Sequence, residues 1–557
     1  MRFFSENNSA KVYLVLIFLL FFGLLMGSTL SAGPTYDEPA HIAAGLSYVR
    51  FKDLRYNPEH PPLVKFLSGL SLRLFYPDLK FDLNGEMMDK PLENNPYVLG
   101  EQLFKDNDVK RLLIGARLPS MAIALLGIFL IFQFAREITD SGRRALFPTA
   151  LFAFELNVLA NGALVTTDIA LAIFWLGFAY FWWRYWQNQK SRENTDLLVA
   201  GLFFALALLS KYSAVFIFPL TVLASFPWWW RKWKNLFISI MVVGGIGWLG
   251  IWLFYLPFGQ PSFIWHDLPE VQQALQEVKS PFLNQLIEYL PLPSYYRYGL
   301  QLINHHEAVG QLQFLAGKVS QFNWWWFYLL TFISKTSIVF LGLLGFSVFY
   351  FFRRQNKKNF PTTIFFLLLM LSYLLLCMNS SMAFGMRILL PLISFGSLLI
   401  STHLDWLKNQ QLAVMIIFFY FLLSLARFPY YFSAVNLMTE VLVDKHRVFI
   451  DSNLDWGQDL LRLKKWADQH QLKKITVINH GSLSPEIFGF DQQELSTTLK
   501  QQGVVAISAT RLNLPASIIN ESGKVQQVNK PYDFLFQFRQ IEQIGSFLVF
   551  DTGEKIK

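Results

Sequence analysis

The sequence predicts a mainly α-helical, polytopic membrane bundle followed by a soluble α/β domain. Three observations carry this. Apolar runs recur along residues 12–428, each close to the roughly 17–25 residues that a bilayer-crossing helix needs. Basic residues gather in every second connection between those runs. Beyond residue 428 the long apolar runs stop, and short β-branched runs surround an amphipathic stretch. With 53% hydrophobic and 16% charged residues in 557, the composition is too apolar for a water-soluble globule of this size.

The apolar runs cover 12–32, 112–135, 145–166, 169–186, 197–212, 213–230, 235–257, 324–352, 362–379, 388–403 and 411–428, which predicts about eleven spans. Arg2 and Lys11 precede the first run, as in a signal peptide. Its length and the poor cleavage site at Leu30-Ser31-Ala32 favour a retained anchor. Arg136, Arg143 and Arg144 follow the second run, Lys190 and Arg192 the fourth, and Arg231, Lys232 and Lys234 the sixth. Arg353, Arg354, Lys357 and Lys358 follow the eighth, and Lys408 the tenth. These short connections and the N-terminus are therefore expected in the cytoplasm. Loops 33–110 and 258–322, turns 166–168 and 380–387 and the tail are expected outside, in the periplasm or its equivalent. The net charge of +9 comes from these loop-end anchors and not from one basic face, so it does not suggest nucleic acid. The single cysteine, Cys377, excludes a disulfide framework within the chain, and no Cys/His cluster has zinc spacing.

Two regions follow: a membrane domain over 1–428 and an extracytoplasmic α/β domain over 429–557. In the tail, 447–451, 474–479 and 503–509 read as strands, and 546–552 as a last one. Residues 457–470 read as a helix with Leu460, Leu463 and Ala467 on one face, and 493–501 as a second. That order implies a small parallel sheet. Nothing after the first strand matches a dinucleotide-binding glycine pattern. In the first outer loop, 61–76 reads as an interfacial helix, with Lys65 and Arg73 able to point away from its apolar face. Tyr295, Tyr296 and Tyr298, and the Trp cluster at 324–326, read mainly as an interfacial aromatic belt.

The densest chemistry lies in TYDEPAHIAAGLSYVRFKDLRYNPEHPPLVKF, residues 35–66. Asp37 and Glu38 adjoin a membrane helix, where bare acids are costly and point to a wet pocket. Two acids there suit general-base work on a hydroxyl, and Asp37 equally suits an N-cap before Glu38-Pro39. Asp168, in LVTTDIALAIF, is an acid in a very short turn on the same outer side, with the cap reading again available. Glu59, His60 and Lys65 stand in a Pro-rich turn. His60 and Lys65, with Lys335 (FISKTS) and Arg387 (FGMRILLP), offer outward positive groups that could hold a phosphate, Arg bidentately and Lys as a point charge. Lys211 (LLSKYS) is a further candidate. In DSNLDWGQDL, Asp455 and Asp459 suit either an acceptor contact or a helix cap.

The Asp37-Glu38 pair, the His60-Pro61-Pro62-Leu63 string with Lys65, the TTD turn at Asp168 and the Arg387-to-LLP string resemble the protein O-mannosyltransferase and lipid A aminoarabinose transferase group. The mannosyltransferase branch reads HPPLGK where this chain has HPPLVK, and Glu59 stands where the aminoarabinose branch has a glutamate. The tail departs from the sugar-binding repeats of eukaryotic mannosyltransferases. The resemblance implies a GT-C-fold glycosyltransferase that takes a monosaccharide from a polyprenyl-phosphate donor. It implies inversion, with the first-loop Asp deprotonating the acceptor hydroxyl and cations holding the leaving phosphate. The acceptor would be a protein, lipid or glycan, and the other partners membrane lipids. Branches of the group differ in needing a divalent metal, and no acidic metal cage is legible here. A transporter or lipid flippase is the alternative. It would favour inverted repeats and broken midplane helices, whereas this chain shows no repeat and gathers its acids at one face. A non-catalytic assembly protein presenting the tail would have no use for acids and cations around the first loop.

Overall fold

The computed structural model of the chain describes residues 8–83, 96–187, 193–259, 277–354, 359–404, 409–472, 474–490, 503–514, 516–519, 525–528 and 532–555. Helices make up the first four-fifths of it and a small sheet closes the chain, as the sequence predicts. Among the described residues, four helices are long and apolar enough to cross a membrane: Ser9–Ser31, Val109–Thr139, Trp233–Phe258 and Phe360–Met378. Phe327–Lys335 and Ile338–Arg354 meet at a bend of 113° and make a fifth span if taken as one. Several other apolar runs fold as shorter or broken helices. The run 145–166 splits into Gly142–Ala153 and Leu156–Asn161.

Glu155 explains two of these breaks together. It lies between the split helices and is fully buried. Its carboxylate accepts from the Asn157 amide at 3.0 Å, from the Ser337 backbone at 3.3 Å, and from the Tyr420 hydroxyl. A buried acid needs such donors, and broken helices expose the backbone N–H groups that supply them.

Among the described residues, loop 33–110 carries three helices, Glu38–Phe51, Leu63–Phe75 and Pro96–Asp106. The first two cross at Gly45 and Gly69, where a Cβ on Gly45 would overlap the Lys65 carbonyl. Lys65 therefore lies at a helix contact and is fully buried, which corrects the expectation that it points away. Leu74 and Phe75, at the far end, remain exposed. Tyr295, Tyr296 and Tyr298 are also buried and not spread as a belt; Tyr296 packs against Tyr212, and both Tyr295 and Tyr296 pack against Tyr255. Trp325 does stay outside, at 67% exposure.

In the tail, four strands pair in the order Ile475–Ile478, Val504–Ser508, Phe547–Lys555, Phe538–Ile544. Only the first pair is parallel, so the sheet is mixed. The helix Leu460–Gln469 buries Leu460, Leu463 and Ala467 as their spacing predicts. Residues 447–451 are not a strand. The Asp444 side chain caps the short helix Lys445–Val448, and Asp451 takes a left-handed φ of 49°. The helix expected at 493–501 lies outside the described residues, as do Lys190, Arg192, Lys357, Lys358 and Lys408. The tail docks directly on loop 33–110. Gly33 donates to the Gln458 carbonyl at 2.8 Å, Tyr36 to the Trp456 carbonyl at 2.7 Å, and Ser482 to the Tyr36 carbonyl at 2.6 Å.

Candidate active site

Asp37 sits at the N-cap position of Glu38–Phe51 but makes no capping hydrogen bond. Its carboxylate turns outward instead. Oδ2 lies 3.1 Å from Arg387 Nη1, and Oδ1 accepts from the Tyr97 hydroxyl at 3.4 Å. Asp168 opens the helix Thr167–Gln187, where a negative charge is favoured by the helix dipole. It pairs with Lys211 and stands 3.7 Å from the same Arg387 nitrogen. Four residues from four separate parts of the sequence thus form one cluster of two acids and two cations. Lys211 and Arg387 are each 12% exposed, and Asp37 is the most open member at 19%.

Arg387 is held from several sides. Gly385, with φ of 75°, turns the chain into the short helix Met386–Leu389. The Arg387 Nε donates to the Phe384 carbonyl at 3.2 Å. Its guanidinium lies 4.0 Å from the centre of the Trp456 ring.

Glu38 has a different fate. It is fully buried, and both oxygens are occupied. Oε1 accepts from Arg117 Nε at 2.8 Å and the Val165 backbone at 3.0 Å. Oε2 accepts from Arg117 Nη2 at 2.6 Å and the Thr35 backbone at 2.8 Å. Burial alone would raise its pKa, but Arg117 and these donors outweigh burial and hold it below the ordinary carboxyl value. Glu38, expected from the sequence as a catalytic candidate, therefore ties the loop to the bundle.

Lys65 and Lys335, expected as phosphate-binding candidates, both donate to protein oxygens. Lys65 donates to the Asn57 carbonyl, to Asn57 Oδ1 at 3.0 Å and to the His60 carbonyl at 2.8 Å, which takes all three ammonium protons. Lys335 is 3% exposed and donates to the carbonyls of Phe432, at 2.8 Å, and Asn453. Each lysine satisfies backbone oxygens that packing has cut off from water. His60 packs edge-on against His41, ring centres 5.5 Å apart. Burial, then the neighbouring His41 and cations, push its pKa well below the ordinary value. Glu59 lies beside this pair, its pKa raised by burial and by Asp37, with Lys65 opposing.

The tail acids are structural as well. Asp455 is fully buried and accepts from the Thr510 backbone at 2.8 Å. Asp459 accepts from the Ser546 backbone at 2.9 Å and pairs with Arg462. Neither caps the helix Leu460–Gln469, and neither is open to an acceptor. Sequence reading missed Arg117, His41, Tyr97 and Trp456. Arg117, an arginine inside an apolar helical run, carried a signal of its own. His41 donates from Nδ1 to the Val165 carbonyl at 2.7 Å. A divalent metal does not fit this donor set: Asp37 and Asp168 already face cations, and among the described residues no three metal-ligating side chains converge.

Residues 101–253 match the family described as dolichyl-phosphate-mannose-protein mannosyltransferase. That segment includes Arg117, Asp168 and Lys211. The chain is similar to ArnT from Cupriavidus metallidurans bound to undecaprenyl phosphate, with 12% identity, TM-score 0.48 and 98% of each chain covered. It is similar to the apo oligosaccharyltransferase of Archaeoglobus fulgidus, with 11% identity and TM-score 0.46, over 95% of this chain and 75% of that one. A third similarity is to the S. cerevisiae protein O-mannosyltransferase Pmt1-Pmt2 complex bound to the sugar donor, with 18% identity and TM-score 0.33. It covers 45% of this chain, which spans only 34% of the yeast one. No curated protein sequence matches. The first-loop motifs and the family match over residues 101–253 agree: the chain resembles the GT-C group of membrane glycosyltransferases.

Proposed function

We propose that this chain transfers a monosaccharide from a polyprenyl-phosphate donor to an acceptor hydroxyl, with inversion, on the outer side of the membrane. The observation that carries it is the shared cluster of Asp37, Asp168, Lys211 and Arg387. It sets a partly open carboxylate beside Arg387, with Lys211 joined to the same cluster through Asp168, which is the arrangement of charge the reaction needs. Asp37 takes the acceptor proton as the oxygen attacks the anomeric carbon. The bond from that carbon to the phosphate oxygen breaks, and the phosphate leaves with the electron pair. Arg387 and Lys211 stabilise the charge that grows on it. Asp168 positions both cations.

The test is to incubate the purified protein with a polyprenyl-phosphate monosaccharide and measure release of polyprenyl phosphate. The wild type should consume the donor, and Arg387→Ala should lose about 10- to 150-fold in donor affinity, the worth of a charge-assisted contact. A wild-type protein that binds the donor in the presence of acceptor extracts but never cleaves it would refute the enzyme reading and favour a carrier.

A further inference from the structure

We infer that the C-terminal domain is part of the donor site, and that Trp456 is the positioning residue that holds Arg387 for the phosphate of a polyprenyl-phosphate ligand. The inference rests on the assignment of Arg387 to phosphate made above, and adds to it a residue from the other end of the chain.

Trp456 is 2% exposed, and its ring lies 4.0 Å from the Arg387 guanidinium. Phe432 stacks on the same indole, centres 5.8 Å apart and 14° from parallel. The indole is therefore backed by another ring and is not free to swing. Its backbone serves a second purpose: the Trp456 carbonyl accepts from Tyr36, the residue before Asp37, at 2.7 Å. One residue thus touches both halves of the Asp37–Arg387 pair, Arg387 by its side chain and the Asp37 turn by its main chain.

The neighbours of Trp456 complete the arrangement. Ser452 donates to the Phe384 carbonyl at 2.8 Å, and Asn453 Oδ1 accepts from the Met386 backbone at 2.9 Å. Both flank Arg387 in the turn that presents it. Lys335 fixes the Asn453 carbonyl from below. The segment 452–456 is therefore a template for the Arg387 turn. A guanidinium is planar, and a stacked aromatic face fixes that plane while leaving its edge donors for oxygen ligands. An arginine that swept through many rotamers would pay conformational entropy at each binding event. Trp456 removes that cost in advance. The electron-rich face also favours the cation without competing for its hydrogen bonds, as a third carboxylate would.

The experiment compares the affinity of the full-length protein for undecaprenyl phosphate and for undecaprenol, in one detergent. The ratio isolates the phosphate contribution, which a merely structural role of Trp456 would not change. Trp456→Leu should reduce the phosphate-to-alcohol ratio about 2- to 30-fold, the range that a cation–π contact is worth. Trp456→Phe keeps an aromatic face and should recover most of it. Adding Trp456→Leu to Arg387→Ala should change nothing further, because the indole acts through Arg387. Trp456→Met replaces Trp456→Leu if the latter does not fold. A full ratio in the Leu or Met variant, with Arg387→Ala impaired, overturns the inference. So does a Phe variant as impaired as Leu. An unaltered ratio in Arg387→Ala itself would instead refute the phosphate assignment, a distinguishable failure.

Discussion

Asp37 and Glu38 are adjacent, yet replacing each by its amide should give opposite phenotypes. Asp37→Asn keeps the side-chain shape and loses the ability to take a proton. It sacrifices no helix cap, because Asp37 makes none. It weakens the Arg387 contact at 3.1 Å, but Arg387 keeps Asp168 at 3.7 Å, the Phe384 carbonyl at 3.2 Å and the Trp456 ring at 4.0 Å. The stability cost should be about 1 kcal/mol, between an exposed pair and a broken buried one. The rate should fall about 10²–10⁴-fold, or about 3–5 kcal/mol in barrier height. Glu38→Gln reverses the balance. It leaves the Arg117 guanidinium, 1% exposed, without its counter-charge. Breaking such a pair costs about 3–5 kcal/mol, so this variant should unfold at a markedly lower temperature. Its folded fraction should retain most of the wild-type turnover. The assay is release of polyprenyl phosphate from the sugar-bearing donor by purified variants, each with its thermal midpoint. Near-wild-type turnover in Asp37→Asn would refute the base assignment. Equal destabilisation of the two variants would refute the division of roles.

Other outcomes follow from the same geometry. Arg387→Lys should restore only part of the donor affinity lost in Arg387→Ala, since Lys lacks the planar fork; full recovery would mean a plain point charge suffices. Asp168→Asn should raise KM for the donor more than it lowers kcat, because it frees Lys211 and Arg387 from their shared anchor; a kcat loss as large as that of Asp37→Asn would give Asp168 a direct part in the chemistry. Glu59 has a folded pKa above its ordinary value, raised first by burial, so it binds more protons folded than unfolded between those two values. Its favourable term is complete below the ordinary carboxyl value and is lost as pH rises through the folded one. Glu59→Gln should therefore be more stable than wild type at neutral pH, with the gain vanishing on acidification; a gain independent of pH would show that charge is not its cause. A reporter that functions only outside the cytoplasm, fused after Lys557, should be active, and activity of a cytoplasm-only reporter there would invert the proposed orientation.

The sequence by itself determined the class of protein and the positions worth watching. Apolar length marked the helices, and period-two β-branching marked the strands Ile475–Ile478 and Val504–Ser508. Asp37, Asp168, Lys211 and Arg387 stood out because ionisable groups at the ends of apolar helices are costly and rarely idle. Tertiary structure decided which charges remain available. Glu38 meets Arg117, 79 positions along the chain, and Lys335 meets the Asn453 carbonyl, 118 positions along. Such partners have no local spacing rule, so adjacency in sequence made Asp37 and Glu38 look alike. The Arg387–Trp456 contact is equally long-range. Broken helices had a similar cause. A hydropathy pattern reads 145–166 as one run, but Glu155 draws hydrogen bonds from Ser337, in the break between Phe327–Lys335 and Ile338–Arg354, and from Tyr420 in the helix Gln410–Ala426. A buried polar group must find its partners wherever packing supplies them, and packing is a property of the whole fold.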